Sequence, residues 1–223
     1  MIITIDGPSG TGKTTVARQV ANALHFSYFD TGAMYRAFAW VCLQKNVDLH
    51  DSQIIEKLLS EFDFNITDGN NQKYYFVNGH DVTEAIRSRP VTACVSAVSA
   101  LREVRDALLP IQHRFGSSRN AVFEGRDLGT VVFPQAEVKI FLTADPAIRA
   151  ERRMEELLVK SPKETALLSK EQFFSEINRR DAADSTREIA PLRCPENAYT
   201  VDTTHLSVEQ VVEEIIKYTK KML

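Results

Sequence analysis

The stretch IDGPSGTGKTTVA, residues 5–17, constrains the fold more than any other part of the chain. The apolar run IITI at 2–5 enters a glycine-rich turn, and a helical pattern follows at once. Gly7, Gly12, Lys13 and Thr14 match G-x-x-x-x-G-K-[ST], with the strand before and the helix after that the motif requires. Gly7, Gly10 and Gly12 let backbone N–H groups turn inward around an anion. The helix then presents its positive end to the same point. Pro8, Ser9, Thr11 and Thr15 complete a cradle for a nucleoside triphosphate. In it Lys13 is expected to reach the β- and γ-phosphates, and Thr14 to offer its hydroxyl to Mg²⁺.

The rest of the chain alternates in the same rhythm. Four more apolar or β-branched runs stand out: FSYF at 26–29, AVFE at 121–124, VKIFL at 138–142 and AYTV at 198–201. Most are apolar throughout, as expected of parallel strands covered on both faces. Helical patterns separate them. Val16, Val20 and Leu24 form an apolar stripe, and so do Val208, Val211, Val212, Ile215 and Ile216. Ser207 with Gln210 and Ser169 with Gln172 are spaced as capping boxes, and Asp145-Pro146 reads as N-cap and N1. The pattern predicts an α/β doubly wound fold with five parallel strands.

Two stretches break the rhythm. Residues 62–83 carry strand-like runs separated by DGNN and NGHD, which are hairpin signals, so a small antiparallel insert is expected. Residues 150–190 are polar and Arg-rich, with SPKET as a breaker, and read as a mobile helical arm.

Composition narrows the ligand. With 43% hydrophobic and 26% charged residues the chain resembles an ordinary soluble enzyme, and its net charge of −3 offers no global field for a nucleic-acid polymer. Cys42, Cys94 and Cys194 are odd in number and scattered, which argues against a disulfide framework or metal cluster and fits reduced thiols in the cytoplasm. No apolar run approaches membrane-spanning length, and the N-terminus lacks the pattern of a signal peptide. No heptad or broad apolar stripe calls for a partner subunit, so a monomer is expected.

The fate of the last phosphate depends on the acceptor. A guanine-specific switch would need an Asn-Lys-x-Asp element, which is absent. A small phosphorylated acceptor needs a second anion site at the carboxyl edge of the sheet. Three pieces of one are present. DTGAMYR at 30–36 brings Thr31 and Arg36, EGRDLGT at 124–130 brings Arg126 and Asp127, and RRDAADSTR at 179–187 brings Arg180, Asp184 and Arg187 at i, i+4, i+7. Arg149, Arg152 and Arg153 share another helix face and are candidates for the donor side.

Taken together, IDGPSGTGKTTVA, FDTGAMYRA, FEGRDLGTVVFP, VKIFLTA and RRDAADSTREIAPL resemble the bacterial cytidylate kinases, over essentially the whole chain. The resemblance implies a P-loop kinase-type fold: a doubly wound five-stranded parallel sheet, a nucleoside-monophosphate-binding insert and a helical lid. It implies a single kinase unit with a core of 1–59, 90–148 and 190–223, an insert at about 60–89 and a lid at about 149–189. It also implies transfer of the ATP γ-phosphate to CMP or dCMP, with Mg²⁺ at Thr14. A kinase for UMP or another small acceptor, and an NTP-dependent switch, are the alternatives. Lys13, Arg126 and Arg180 would be catalytic, and Arg153 would join Gly7–Thr15 on ATP. Thr31, Arg36, Arg126 and Arg180 would hold the CMP phosphate, with Asp184 and Arg187 near ribose and phosphate. Ser96, Arg105 and Asp127 would read cytosine; a carboxylate accepting from the exocyclic amine favours it over uracil.

Overall fold

The structure, a computed structural model, describes residues 1–69, 72–117, 120–160 and 169–222. SPKET at 161–165 and the last two residues of the DGNN turn lie outside the described residues. Two compact units divide the chain: Met1–Phe29 with Gly116–Leu223, and Asp30–Phe115.

The first unit is built on a five-stranded sheet of β1 (Ile2–Asp6), β2 (Ser27–Asp30), β6 (Ala121–Gly125), β7 (Val138–Thr143) and β8 (Tyr199–Asp202), in the order β2-β6-β1-β7-β8. β1 runs parallel to both β6 and β7, and β7 parallel to β8. The central strand is therefore the one that leads into the glycine loop. The registers Asp6↔Gly125 and Asp6↔Phe141 bring three strand ends to one edge. Ile3, Ile5, Val122, Val138, Ile140 and Leu142 form a core with Val16, Ala17 and Val20 of α1 (Lys13–Leu24) and with Val211 and Ile215 of the last helix (Val208–Met222). These side chains are essentially inaccessible to water, which makes their burial the main source of cohesion here.

Each of the five strands ends one residue beyond its apolar run. The added residue is polar or glycine, and where it is aspartate it ties a nearby backbone amide. Asp6 accepts from Leu128 N at 3.0 Å and Gly129 N at 2.8 Å, and Asp202 accepts from Thr204 N at 2.9 Å. A hydrophobicity pattern cannot see this last rung, because the side chain there serves the loop and not the core.

The second unit contains α2 (Thr31–Gln44), α3 (Ser52–Ser60), an antiparallel sheet β3 (Phe64–Asp68), β4 (Lys73–Val77) and β5 (His80–Asp81), then α4 (Arg89–Ala100) and α5 (Arg102–Gly116). The β4–β5 turn is Asn78-Gly79 with φ of 49° and 78°, the paired positive values of a type I′ hairpin turn. Phe38, Ile55, Phe64, Tyr75, Ile86, Val95 and Leu108 make its core.

The Arg-rich stretch forms α6 (Pro146–Lys160) and α7 (Lys170–Thr186) in the first unit. Asp145 caps α6 through Ala147 N at 2.8 Å, and the Ser169–Gln172 capping box opens α7. α7 buries Phe173 and Ile177 and leaves most of its other residues to solvent. Phe173→Ala should therefore cost the docking of α7 about 3–5 kcal/mol. Amide hydrogen exchange should speed up across residues 170–186 and stay unchanged in β1 and β6.

Candidate active site

The glycine loop turns away from β1 at Gly7, whose φ of 149° places its α-carbon so that a Cβ would strike the carbonyl oxygen of Leu142 on β7. At Gly10 a Cβ would stand 2.6 Å from the backbone oxygen of Arg149. Both positions require glycine because the loop is threaded between neighbouring backbones. α1 then begins at Lys13. Its ammonium folds back over the loop, donating to Pro8 O at 2.6 Å and to Thr11 Oγ1 at 3.4 Å. Burial holds the Lys13 pKa well below the ordinary lysine value. Arg126 and Arg180 push in the same direction, and Glu124 and Asp181 oppose them. An anion in the loop would oppose that shift and favour the charged form.

The arginines arrive from three places in the same unit: the segment after β6, α6, and α7 with its C-cap. Arg126 follows β6 and donates from Nε to Asp184 at 3.0 Å and from NH1 to Gly125 O at 3.1 Å. Arg180 projects from α7. Desolvation, with Arg126 and Arg153 close by, lowers its pKa to about 10 despite Asp184 and Asp181. Its buried Nε has no hydrogen-bond partner among the described residues. A buried donor left unmatched costs stability unless a ligand completes it. Asp181 accepts from Ser9 N at 3.1 Å and pairs with Arg149, which also donates to Ser9 O at 3.0 Å and so joins α7 to the loop. Arg187 pairs with buried Asp127 at 3.0 Å, so Asp127 Oδ1 is engaged in this conformation. Arg153 pairs with Glu156 at 2.6 Å, and Arg152 grips Thr203 through Oγ1 at 3.0 Å and O at 2.7 Å.

Sequence reasoning missed Glu124, the last-but-one residue of β6. Its Oε2 accepts from Thr14 Oγ1 at 2.9 Å, and its Oε1 accepts from the hydroxyl of Tyr28. A threonine hydroxyl beside a carboxylate is a hard-oxygen set that suits Mg²⁺. No three His, Cys, Asp or Glu side chains gather into a metal-ligating group among the described residues. A divalent ion here would depend on substrate phosphate oxygens for the rest of its shell.

Four predicted residues lie in the second unit. Thr31 opens α2, which Asp30 caps through Ala33 N at 3.0 Å. Arg36 donates to Thr92 Oγ1 at 2.8 Å. Arg105 is buried, donates to Ser99 O at 3.0 Å and lies 5.3 Å from the Tyr35 ring centroid. Ser96 is half-buried on α4, and its carbonyl accepts from the Ser99 hydroxyl. Arg87, bonded to Asp30 at 2.9 Å, is a further cation here that the sequence reading passed over.

A family model described as cytidylate kinase matches residues 3–221. The chain belongs to the cytidylate kinase family. It is 48% identical over 218 residues to the cytidylate kinase of Protochlamydia amoebophila, covering 98% of this chain and 96% of that one. It is 44% identical over 215 residues to the cytidylate kinase of Bacillus subtilis, with 96% and 94% covered. Among solved structures, an uncharacterized protein from Eubacterium ventriosum aligns with a TM-score of 0.52 at 12% identity, over 99% of this chain and 98% of that one, a likeness of fold.

One buried acid of this cytidylate kinase family member lies behind the loop and titrates unusually. Burial raises the Asp6 carboxyl from 3.8 to about 6; its bonds from Gly129 and Leu128 oppose the shift, and nearby Asp127 adds to it. A carboxyl with a raised folded-state pKa contributes stability that is full below its unfolded value and fades as pH rises through the folded one. Tm of the protein minus Tm of Asp6→Asn should therefore be largest near pH 4 and fall by the equivalent of about 2–3 kcal/mol toward pH 7. Parallel melts of the two proteins across that range provide the measurement.

Proposed function

We propose that this chain transfers the γ-phosphoryl group of ATP to CMP or dCMP, giving ADP and CDP or dCDP. The observation that carries the reading is the cationic cluster of Lys13, Arg126 and Arg180 around the glycine loop, in which Lys13 is buried and Arg180 Nε is unmatched among the described residues. Such a cluster is unfavourable alone and becomes favourable around phosphate groups. Membership of the cytidylate kinase family and relatives bearing that name support the acceptor.

In this reading the backbone of Gly7, Pro8, Ser9, Gly10, Thr11, Gly12, Lys13, Thr14 and Thr15 wraps the donor phosphates, and Arg153 lies on the donor side. Thr14, with Glu124 behind it, would hold Mg²⁺, which would supply positive charge to the donor phosphates. Thr31, Arg36, Arg126 and Arg180 orient the acceptor phosphate, and Asp184 and Arg187 lie by the ribose. Ser96, Arg105 and Asp127 distinguish cytosine. An oxygen of the CMP phosphate attacks the γ-phosphorus in line as the bond to the β-bridging oxygen breaks. That oxygen is already anionic near neutral pH, so no dedicated general base is required. Lys13, Arg126 and Arg180 stabilise charge on the moving group. The insert at about 60–89 and the lid at about 149–189 would exclude water around a core of 1–59, 90–148 and 190–223. We assign the activity to pyrimidine nucleotide metabolism in the cytoplasm, by a monomer.

Rates of ADP formation from Mg-ATP with CMP, dCMP, UMP or AMP, and with none, test the proposal. CMP and dCMP should accelerate ADP formation most. Equal rates with and without an acceptor would overturn the kinase reading, and UMP as the best substrate would overturn the cytosine assignment. Lys13→Ala should lower kcat by at least about 10²-fold, as expected for removing a preorganised charge. Turnover near normal would exclude that role.

A further inference from the structure

Tyr28 on β2 carries a hydroxyl into the buried interior of the first unit, with Arg18 over its ring at 5.8 Å from the centroid. Its side chain is 7% exposed, so the phenol body is already accounted for by burial. A buried O–H must find an acceptor, and here it finds Oε1 of Glu124 on the neighbouring strand β6. Glu124 is itself 4% exposed, and its other oxygen accepts from Thr14 Oγ1 at 2.9 Å. The three side chains form one directed chain: Tyr28 O–H to Glu124, and Thr14 O–H to Glu124 from the opposite side.

Two consequences follow from elementary hydrogen-bond chemistry. A threonine hydroxyl has one proton and two lone pairs. With the proton committed to Glu124, the lone pairs are directed away from the carboxylate and are available to a cation. Glutamate has one more rotatable bond than aspartate, and its carboxylate must be fixed before it can fix anything else. Tyr28 supplies that restraint by occupying Oε1, which leaves Oε2 aimed at Thr14.

We infer that Tyr28 is a positioning residue for the metal-bound nucleotide, acting through Glu124 to set the orientation of the Thr14 hydroxyl. The inference rests on the donor half of the function proposed above, a metal-dependent triphosphate in the glycine loop, and is independent of which acceptor is phosphorylated. Tyr28 touches neither substrate. Its effect should appear in the metal dependence of nucleotide binding and not in binding of the nucleotide alone.

The test uses the full-length protein and adenylyl imidodiphosphate, a non-hydrolysable ATP analogue, titrated calorimetrically with and without Mg²⁺. Tyr28→Phe removes one oxygen and keeps the ring. Affinity without Mg²⁺ should stay within about twofold of the parent, and the Mg²⁺ concentration for half-maximal enhancement should rise roughly tenfold, the low end for a lost outer-shell partner. Glu124→Gln should raise the Mg²⁺ half-saturation at least as far, and its loss of charge beside Lys13 should also lower metal-free affinity. In the double variant Tyr28→Phe should add nothing further, because its effect passes through the carboxylate. In Tyr28→Phe, an unchanged Mg²⁺ half-saturation or an equal loss with and without metal would overturn the assignment, and so would additivity in the double variant. Should Tyr28→Phe fail to fold, 3-fluorotyrosine at position 28 retains the shape and changes the acidity of the hydroxyl; an unaltered Mg²⁺ response there would be equally fatal. Failure of the acceptor assay leaves these readings intact, so the two proposals fail separately.

Discussion

Three cations share a space from which water has been largely removed, and most other features of the first unit can be understood as containing them. Arg126 and Arg180 make it harder for Lys13 to stay charged, and Arg126 does the same to Arg180. Solvent would screen such repulsion on an exposed surface. Here burial amplifies it, and carboxylates are distributed to hold the arrangement: Asp184 against Arg126, Asp181 near the loop, Glu124 near Lys13. The compensation stops short of completion at the Nε of Arg180. The remaining demand of this cluster for a hydrogen-bond acceptor is concentrated at that nitrogen.

The scaffold makes this possible by bringing loops to one edge. Parallel strands terminate together, and the terminal aspartates of β1, β2 and β8 serve nearby backbone amides in place of the core. Asp6 shows both sides of that arrangement. It straps two backbone amides of the turn after β6, and its burial makes the ionised form expensive. Arg149 performs a comparable task on the other flank, holding the glycine loop by Ser9 O and α7 by Asp181. The loop is thereby fixed by side chains from elements far apart in the chain.

Much of this was legible in the residues themselves. The glycine loop, the alternation of strands and helices, the antiparallel insert and the helix caps at Asp145, Ser169 and Ser207 all carry local signals, and each corresponds to an observed element or bond. Less accessible were features that depend on what a side chain meets. Glu124 sits in a motif whose arginine and aspartate drew attention, and only its contact with Thr14 reveals its connection to the loop. Arg149, Arg152 and Arg153 look equivalent on a helical wheel. In three dimensions one latches the loop, one clamps the turn after β8 and one pairs with its own helix. Periodicity gives the face of a helix but not the partner opposite each residue.

The position of β1 has a further consequence. It is flanked by β6 and β7, which lie more than a hundred residues downstream. The glycine loop therefore precedes both of its lateral supports by more than a hundred residues, and its frame depends on long-range pairing whose loop-closure entropy must be met before the strands hold it. Until β6 and β7 have paired with β1, the loop has no strand on either side to hold its shape.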